Sequence, residues 1–518
     1  MTLWSRLKDA AKLVGIGLLA GAGALAIGDS SPMDLMALAL FAMLCLVTLR
    51  NPLVGLSLLI IMIVSNLSSN LIQGFGAPSP AKLAAPGLAA LLGVRYVLWG
   101  ERPYIGWLSL WLLVGLLALK LFGATYAPDW QQTLSDTADF IKDAIIAMLA
   151  LAFMGYRKGF ETITTSAVLT IAAVCGLGFI QVIGFDLPGG FSLFSRFGEF
   201  NGRFAGPIED ENFFAVVVVF CVPLALFQLL GSQKLTAFLF WSLTTCLLLF
   251  GLLATQSRGG ILALCVGLGI LFLQLRARQK LAALAVFVAV IMVASAFVGE
   301  QAFERLATIG EMASSGGIDK STEGRLASWS VAGEIFKAHP WLGVGAGNFN
   351  LLYQDFALEL GLIFRGEGRS THSLYLEVLT EQGLLGLMYF LLMIGFAAAG
   401  IVVAYRQARA AGDRRLASHM VAFGAGLAGY LAGMTLLHDA YPRFLWIVIV
   451  LGIESGRLVR LRLEAKSNGP SGSRAPFGAD PLLLTGSMRI GSIRTGRMRT
   501  GRMKLGRMRT GSKGADGV

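Results

Sequence analysis

Residues 213–230 read FFAVVVVFCVPLALFQLL, an apolar run that contains no charge. A helix that crosses the hydrocarbon core of a bilayer needs about 20 mostly apolar residues, so this run is of spanning length. Only helices and closed barrels satisfy the backbone in lipid, and the run is too continuous for an alternating barrel strand. Similar runs recur on both sides of it. Reading them against the breakers gives roughly fourteen spans. They lie near 12–28, 34–49, 53–70, 82–99, 105–123, 140–155, 163–184, 213–230, 235–255, 260–275, 281–298, 384–405, 416–437 and 443–460. Composition agrees: 55% of the 518 residues are hydrophobic and 14% charged, with a mean hydropathy of +0.69. Soluble domains carry about 25% charged residues. The expected fold is an all-α polytopic membrane protein with about 12–14 transmembrane helices.

Charges in the short gaps set the orientation. Arg6, Lys8 and Lys12 precede the first span. Arg50, Arg95 with Arg102, Arg157 with Lys158, Lys234, and Arg276 with Arg278 and Lys280 follow at alternate gaps. Arg406, Arg409, Arg414 and Arg415, then Arg457, Arg460 and Arg462, complete the series. Strict alternation puts all of them on one side, the cytoplasm, with both termini. The basic start and Ala24-Leu25-Ala26 also fit a cleavable signal peptide, which would leave the later topology unchanged. The five cysteines, Cys45, Cys175, Cys221, Cys246 and Cys265, lie inside apolar runs without metal-ligand spacing and read as small core residues.

The formal net charge of +12 is concentrated in the tail. Residues 467–518 hold ten Lys and Arg against Asp480 and Asp516, and glycine recurs every five residues from Gly486 to Gly511. Such a segment cannot pack a core and is expected to be a disordered cytoplasmic tail, either solvated or touching anionic membrane lipid. Residues 1–466 form the polytopic domain.

On the opposite side the two longest loops are 185–212 and 299–372. The second is too long for a bare connector and should hold helices that cover a site. Within it Gly324–Lys337 reads as an amphipathic helix with Leu326, Trp329, Ile335 and Phe336 as its apolar positions. Pro340 and Gly343, Gly345 and Gly347 then force irregular backbone.

Arg203, Arg258, Arg325, His372 and Arg443 all fall in or beside gaps on this non-cytoplasmic side. Cations near lipid are costly, so a cluster of them marks a candidate site. Ser257-Arg258-Gly259-Gly260 joins two spans with almost no loop. A guanidinium beside the N–H groups of a helix start suits a phosphate, and a snorkelling interfacial arginine is the plainer reading. Arg203 precedes Glu209-Asp210-Glu211-Asn212; it suits a diphosphate or, more simply, an ion pair with that acidic run. The run lacks an Asp-x-Asp arrangement and is a poor metal site. His372 opens Thr371-His372-Ser373-Leu374-Tyr375-Leu376-Glu377, where the long loop re-enters the membrane. An imidazole with an ordinary pKa near 6.5, held neutral by nearby cations, can accept a proton. His438-Asp439 and Arg443 face the same side and could support the site, whereas His339 and His419 are weaker candidates. No P-loop, dinucleotide fingerprint, Cys–His metal set or His-Glu-x-x-His pattern occurs, which argues against nucleotide hydrolysis and zinc proteolysis.

In order and placement, these motifs resemble the O-antigen ligase and polymerase superfamily of bacterial envelope glycosyltransferases. The resemblance runs over about 190–455. It is carried by Arg203 with Gly206 and Asn212, the Ser257-Arg258-Gly259 turn, Gly324-Arg325 with Trp329, His339-Pro340-Trp341-Leu342-Gly343-Val344-Gly345 with Asn348-Phe349, and His372-Ser373 through Glu377 to Gly383. Glu211 departs from it, since relatives often have proline before the asparagine, and the span count exceeds the twelve common among ligases. The resemblance implies a GT-C-like fold in the inner membrane with its active site facing the periplasm. The expected donor is a glycan on undecaprenyl diphosphate, used without cofactor or metal and with inversion. The expected acceptor is lipid A–core, a second lipid-linked glycan or a protein, and no nucleic acid is involved. Arg203, Arg258 and Arg325 would bind the diphosphate and His372 would act as base, with Asn212, Glu377, His438 and Arg443 in support. The alternative from a different class is a transporter of an anion or a lipid-linked substrate. A transporter site should lie at the midplane between broken helices that recur in both halves, whereas the apolar runs show no such recurring pair and the polar residues cluster at one face.

Overall fold

The computed structural model describes residues 47–467 except 77–78, 157, 188–190, 199–201, 209, 275–279, 282–283, 286–287, 289–319, 363–368 and 439–441. The expected spans at 12–28 and 281–298, nearly all of 34–49, and the tail beyond 467 lie largely or wholly outside these residues. Each remaining span coincides with a helix: α1 (Pro52–Val64) with α2 (Leu67–Phe75), α3 (Pro80–Trp99), α4 (Trp107–Gly123), α5 (Trp130–Ala152), α6 (Gly159–Val182), α7 (Glu211–Leu230), α8 (Leu235–Ala254) and α9 (Arg258–Gln274). After the loop helices α10 (Lys320–Ala338) and α11 (Phe349–Glu359) come α12 (Leu374–Ala410), α13 (Arg414–Gly433) and α14 (Pro442–Ser467). Among the described residues six helices are long and apolar enough to cross a membrane, or seven if a bent pair counts as one span. The fold is all-α and polytopic. A small antiparallel hairpin, β1 (Arg196–Phe197) and β2 (Phe204–Gly206), pairs Arg196 with Gly206.

Local chemistry sets the helix starts. Asp129, Asp210 and Asp413 accept from the N–H of Gln132, Phe213 and Leu416, which satisfies donors that have no partner inside the helix. α7 sits in the middle of the bundle, with Phe213 to Ala225 all buried. The expected span 53–70 is broken: α1 and α2 meet at 59°, with Asn66 in the left-handed region at φ 48°. The carboxamides of Asn66 and Asn70 donate to Pro207 O at 3.2 and 3.4 Å, which ties this bend to the chain leaving the hairpin.

The long loop does carry its own helices. Val331, Ala332, Ile335, Val344, Phe349 and Tyr353 form a separate small core between α10, α11 and the segment joining them. The inward stripe of α10 is therefore Val331, Ala332 and Ile335, and Leu326, expected to face inward, is 42% exposed. Two further expectations change. Cys175 and Cys221 are buried, but Cys246 and Cys265 are exposed. Arg95, counted among the cytoplasmic surface charges, is buried and fork-bonded to Glu101 at 2.8 and 2.9 Å.

α12 contains a break at Gly383, whose φ of 68° and ψ of −169° are non-helical. The irregular segment after Pro340 fills it. Val344 N donates to Thr380 O at 3.0 Å and Gly345 N to Glu381 O at 2.8 Å, while Leu384 N donates to Pro340 O at 2.8 Å and Leu385 N to Trp341 O at 3.3 Å. A Cβ on Gly343 would lie 2.4 Å from Glu381 C, and one on Gly383 would lie 2.3 Å from Trp341 C. Only glycine fits this close approach of two backbones.

Asn348 fastens the same segment to α5. It is fully buried; its Oδ1 accepts from Asp129 N at 2.9 Å and its Nδ2 donates to Thr133 Oγ1 at 2.7 Å. Asn348→Ala leaves the N–H of Asp129 without its acceptor and removes a donor to Thr133, and should destabilise the fold by about 1–3 kcal/mol. Thermal unfolding of the purified protein in detergent, followed by tryptophan fluorescence, measures this; an unchanged midpoint would show that the asparagine carries no such load.

Candidate active site

Arg203 sits just before β2, after Gly202 in the left-handed region at φ 60°. Its Nε donates to Thr255 O at 2.9 Å, its Nη2 donates to Asn212 Oδ1 at 2.9 Å, and its Nη1 lies 3.5 Å from Glu211 Oε2. The ion pair with the acidic run is thus present, together with two hydrogen bonds that fix the plane of the guanidinium. Asn212 Oδ1 also accepts from Ser257 Oγ at 2.9 Å, and Ser257 Oγ accepts from Gly260 N at 3.2 Å. This knot joins the hairpin, the head of α7 and the head of α9, where Arg258 is the first residue.

The turn between α8 and α9 is only three residues long, and Gln256 in its centre has φ 51°. A non-glycine residue in the left-handed region is uncommon and marks local strain. The described residues contain three, Asn66, Gln256 and His372. Two of them therefore fall at sites singled out by sequence.

His372, also at φ 51°, lies one residue before the cap of α12, where Ser373 accepts from Leu376 N. Leu374 N donates to Leu437 O at 2.6 Å, which draws the segment carrying His438 alongside. The His372 and His438 rings are 5.6 Å apart, centre to centre, and nearly perpendicular at 84°. A Cβ on Gly259 would meet Leu436 Cδ1 at 3.1 Å, so the start of α9 abuts the same segment. The Arg203 knot, the Arg258 turn, His438 and His372 thus form one connected cluster at one end of the bundle.

Burial pushes the His372 imidazole down to about 4, with help from His438, Arg325 and Arg369, and Asp210 opposes the shift. Burial also lowers His438, again opposed by Asp210. These influences bring Arg325 into the electrostatic surroundings of His372, and they add two groups that sequence reading missed. Arg369 lies three residues before His372, within the same Arg-Ser-Thr-His stretch, and its Nη2 would be 3.3 Å from a Cβ on Gly324, beside Arg325. Asp210 was read only as part of the acidic run. It is the cap of α7, with Phe213 N at 2.7 Å.

The remaining candidates separate. Glu377 is in the first turn of α12 and half-buried. Arg443, at the head of α14, donates from Nε to Asp143 Oδ1 of α5 at 2.8 Å, a contact that joins two helices. His339 is exposed. His419 is buried at the other end of the bundle, stacked on Phe227 at 4.8 Å with Thr164 Oγ1 3.0 Å from its Nε2. Among the described residues no three His, Cys, Asp or Glu side chains gather as a metal ion would require.

The arrangement defines a polytopic membrane protein with cations and a neutral histidine at one end of a helix bundle. Residues 243–391 match the family model described as O-antigen ligase, a stretch that contains Arg258, Arg325, His372, Glu377 and the break at Gly383. Over that stretch, less than half of its length, the chain is similar to the O-antigen ligases, and the match supports a glycan-transferring membrane protein. No curated protein matches the chain.

If burial and the two arginines hold His372 neutral, its protonation in the intact protein should have a midpoint near 4. Histidine-labelled NMR of the protein in detergent reads this directly. Arg369→Gln should move the midpoint upward, because a cation that disfavours imidazolium is removed. A midpoint near the ordinary histidine value in the unaltered protein would contradict this account.

Proposed function

We propose that this protein is an envelope glycosyltransferase of the inner membrane. It moves a glycan from undecaprenyl diphosphate to a hydroxyl of a second glycan, on lipid A–core or on another lipid-linked chain, on the periplasmic side. The observation that carries the proposal is the electrostatic setting of His372, a neutral imidazole beside Arg325 and Arg369 at the mouth of the bundle. The family match over 243–391 supports the substrate class.

A lipid diphosphate is already a good leaving group, so the protein's task is to neutralise charge and to position the acceptor. Arg203, Arg258 and Arg325 bind the diphosphate oxygens, and Arg369 adds a further cation. Arg203 is held by Thr255, Asn212 and Glu211 before any substrate arrives. Donors fixed in advance stabilise developing charge without reorganising during the reaction. His372 takes the proton of the acceptor hydroxyl as its oxygen attacks the anomeric carbon. The bond from that carbon to the diphosphate breaks on the opposite face, and the configuration inverts. No metal ion takes part in this scheme. Glu377, one turn into α12, orients the acceptor.

His372→Ala should abolish transfer by purified protein from a lipid-diphosphate glycan while leaving folding intact, and full activity would remove His372 from the mechanism. Arg258→Ala should lower the rate by on the order of 10²–10³ if its guanidinium stabilises the departing charge. A change confined to the apparent affinity for the acceptor would place Arg258 elsewhere.

A further inference from the structure

A general base that takes a proton must then lose it, and the setting of His372 is poor for keeping one. Arg325 and Arg369 both disfavour its imidazolium form. The structure offers a second acceptor beside it. The His438 ring stands edge-to-face at 5.6 Å, on a segment pinned to the start of α12 by the Leu374–Leu437 backbone hydrogen bond. His438 Nδ1 is buried and has no hydrogen-bond partner among the described residues. A buried ring nitrogen of this kind ordinarily has a partner, and an unpaired one calls for an explanation.

Resting on the reading of His372 as base, we infer that His438 is a proton-handling residue of the same site, which receives from His372 the proton lost by the acceptor hydroxyl and passes it to outer solvent. The balance is simple. The acceptor O–H bond breaks, and its electron pair becomes the new bond to the anomeric carbon. The old bond to the diphosphate breaks, and its pair leaves with the diphosphate. The proton goes first to His372 and then to His438, with no other reactant.

The charges around the two rings set the direction. His372 faces His438, Arg325 on α10, Arg369 on its own segment and Asp210 at the head of α7, and Glu377 lies in the first turn of the helix that follows it. His438 faces His372 and Asp210, with Arg258 at the head of α9 and Arg443 at the head of α14 on neighbouring elements, the latter paired with Asp143. Asp210 favours the charged form of both rings, whereas the two arginines act against His372. Burial disfavours the charged form of both rings, and Arg325 and Arg369 add to this at His372, which leaves the adjacent His438 ring, 5.6 Å away, as the next holder of the proton.

The test uses the full chain in vesicles, with an undecaprenyl-diphosphate-linked glycan as donor and a lipid A–core acceptor. His438→Gln keeps size and hydrogen bonding but cannot carry a proton. It should lower kcat by roughly 10²-fold and alter the pH profile with little change in the donor KM. Added imidazole should restore part of the activity of His438→Ala. In mixtures of light and heavy water the unaltered enzyme should give a bowed rate plot, as for two protons in flight. A His438→Gln enzyme with normal kcat and an unchanged pH profile would overturn the inference. If neither variant folds, the water-mixture measurement on the unaltered enzyme decides, and a straight line overturns the inference. Full activity of His372→Ala is a separate outcome, which would remove the base on which the relay depends.

Discussion

The active end of this molecule depends on a helix that is completed by another part of the chain. At Gly383 the ladder of α12 stops, and the groups it leaves are taken by residues 340–345. An unsatisfied polar group buried at such a place costs about 1–3 kcal/mol. Four such bonds make the loop segment and the helix one unit. The loop core of α10 and α11, Asn348 and its anchor on α5, and the short head of α12 that follows His372 all hang from this junction. Arg325 and His372 are therefore held in relation to each other although they lie 47 positions apart in sequence.

The second organising element is the knot around Asn212. One carboxamide oxygen accepts from Arg203 and Ser257, and so fixes a hairpin arginine against the turn that starts α9. The two units meet where Leu374 bonds to Leu437 and where Gly259 approaches Leu436. Catalysis by preset dipoles and charges needs this kind of rigidity, because donors that must first move spend part of their stabilising effect on reorganisation.

Much of this was legible in the sequence. Continuous apolar runs are a strong signal, and the helices follow them closely. Arg203, Asn212, Ser257, Arg258 and His372 could be chosen because polar residues in or beside spans are expensive and seldom idle. What escaped depends on tertiary contact. The bend at Asn66 looks like one span because its polar groups are answered by Pro207, 141 positions away. Leu326 and Ile335 are equally apolar on paper, and only the position of α11 decides which of them faces inward. Arg95 reads as an ordinary interfacial charge until Glu101 and Tyr156 are found around it. Asp210 was read only as part of an acidic run and Arg369 was not singled out, and their relation to His372 arises from separate segments converging.

α7 and α12 carry the two halves of the site, and they meet different surroundings. The most apolar stretch of α7 is 83% buried within the protein, and that of α12 only 28%. Asn212 at the head of α7 thus rests on a pillar enclosed by other helices. His372 is joined to one whose apolar stretch lies mostly on the outer face of the helix bundle, the face a bilayer would cover. Changes in bilayer thickness or lipid packing bear directly on the histidine side and reach the arginine side only through neighbouring helices.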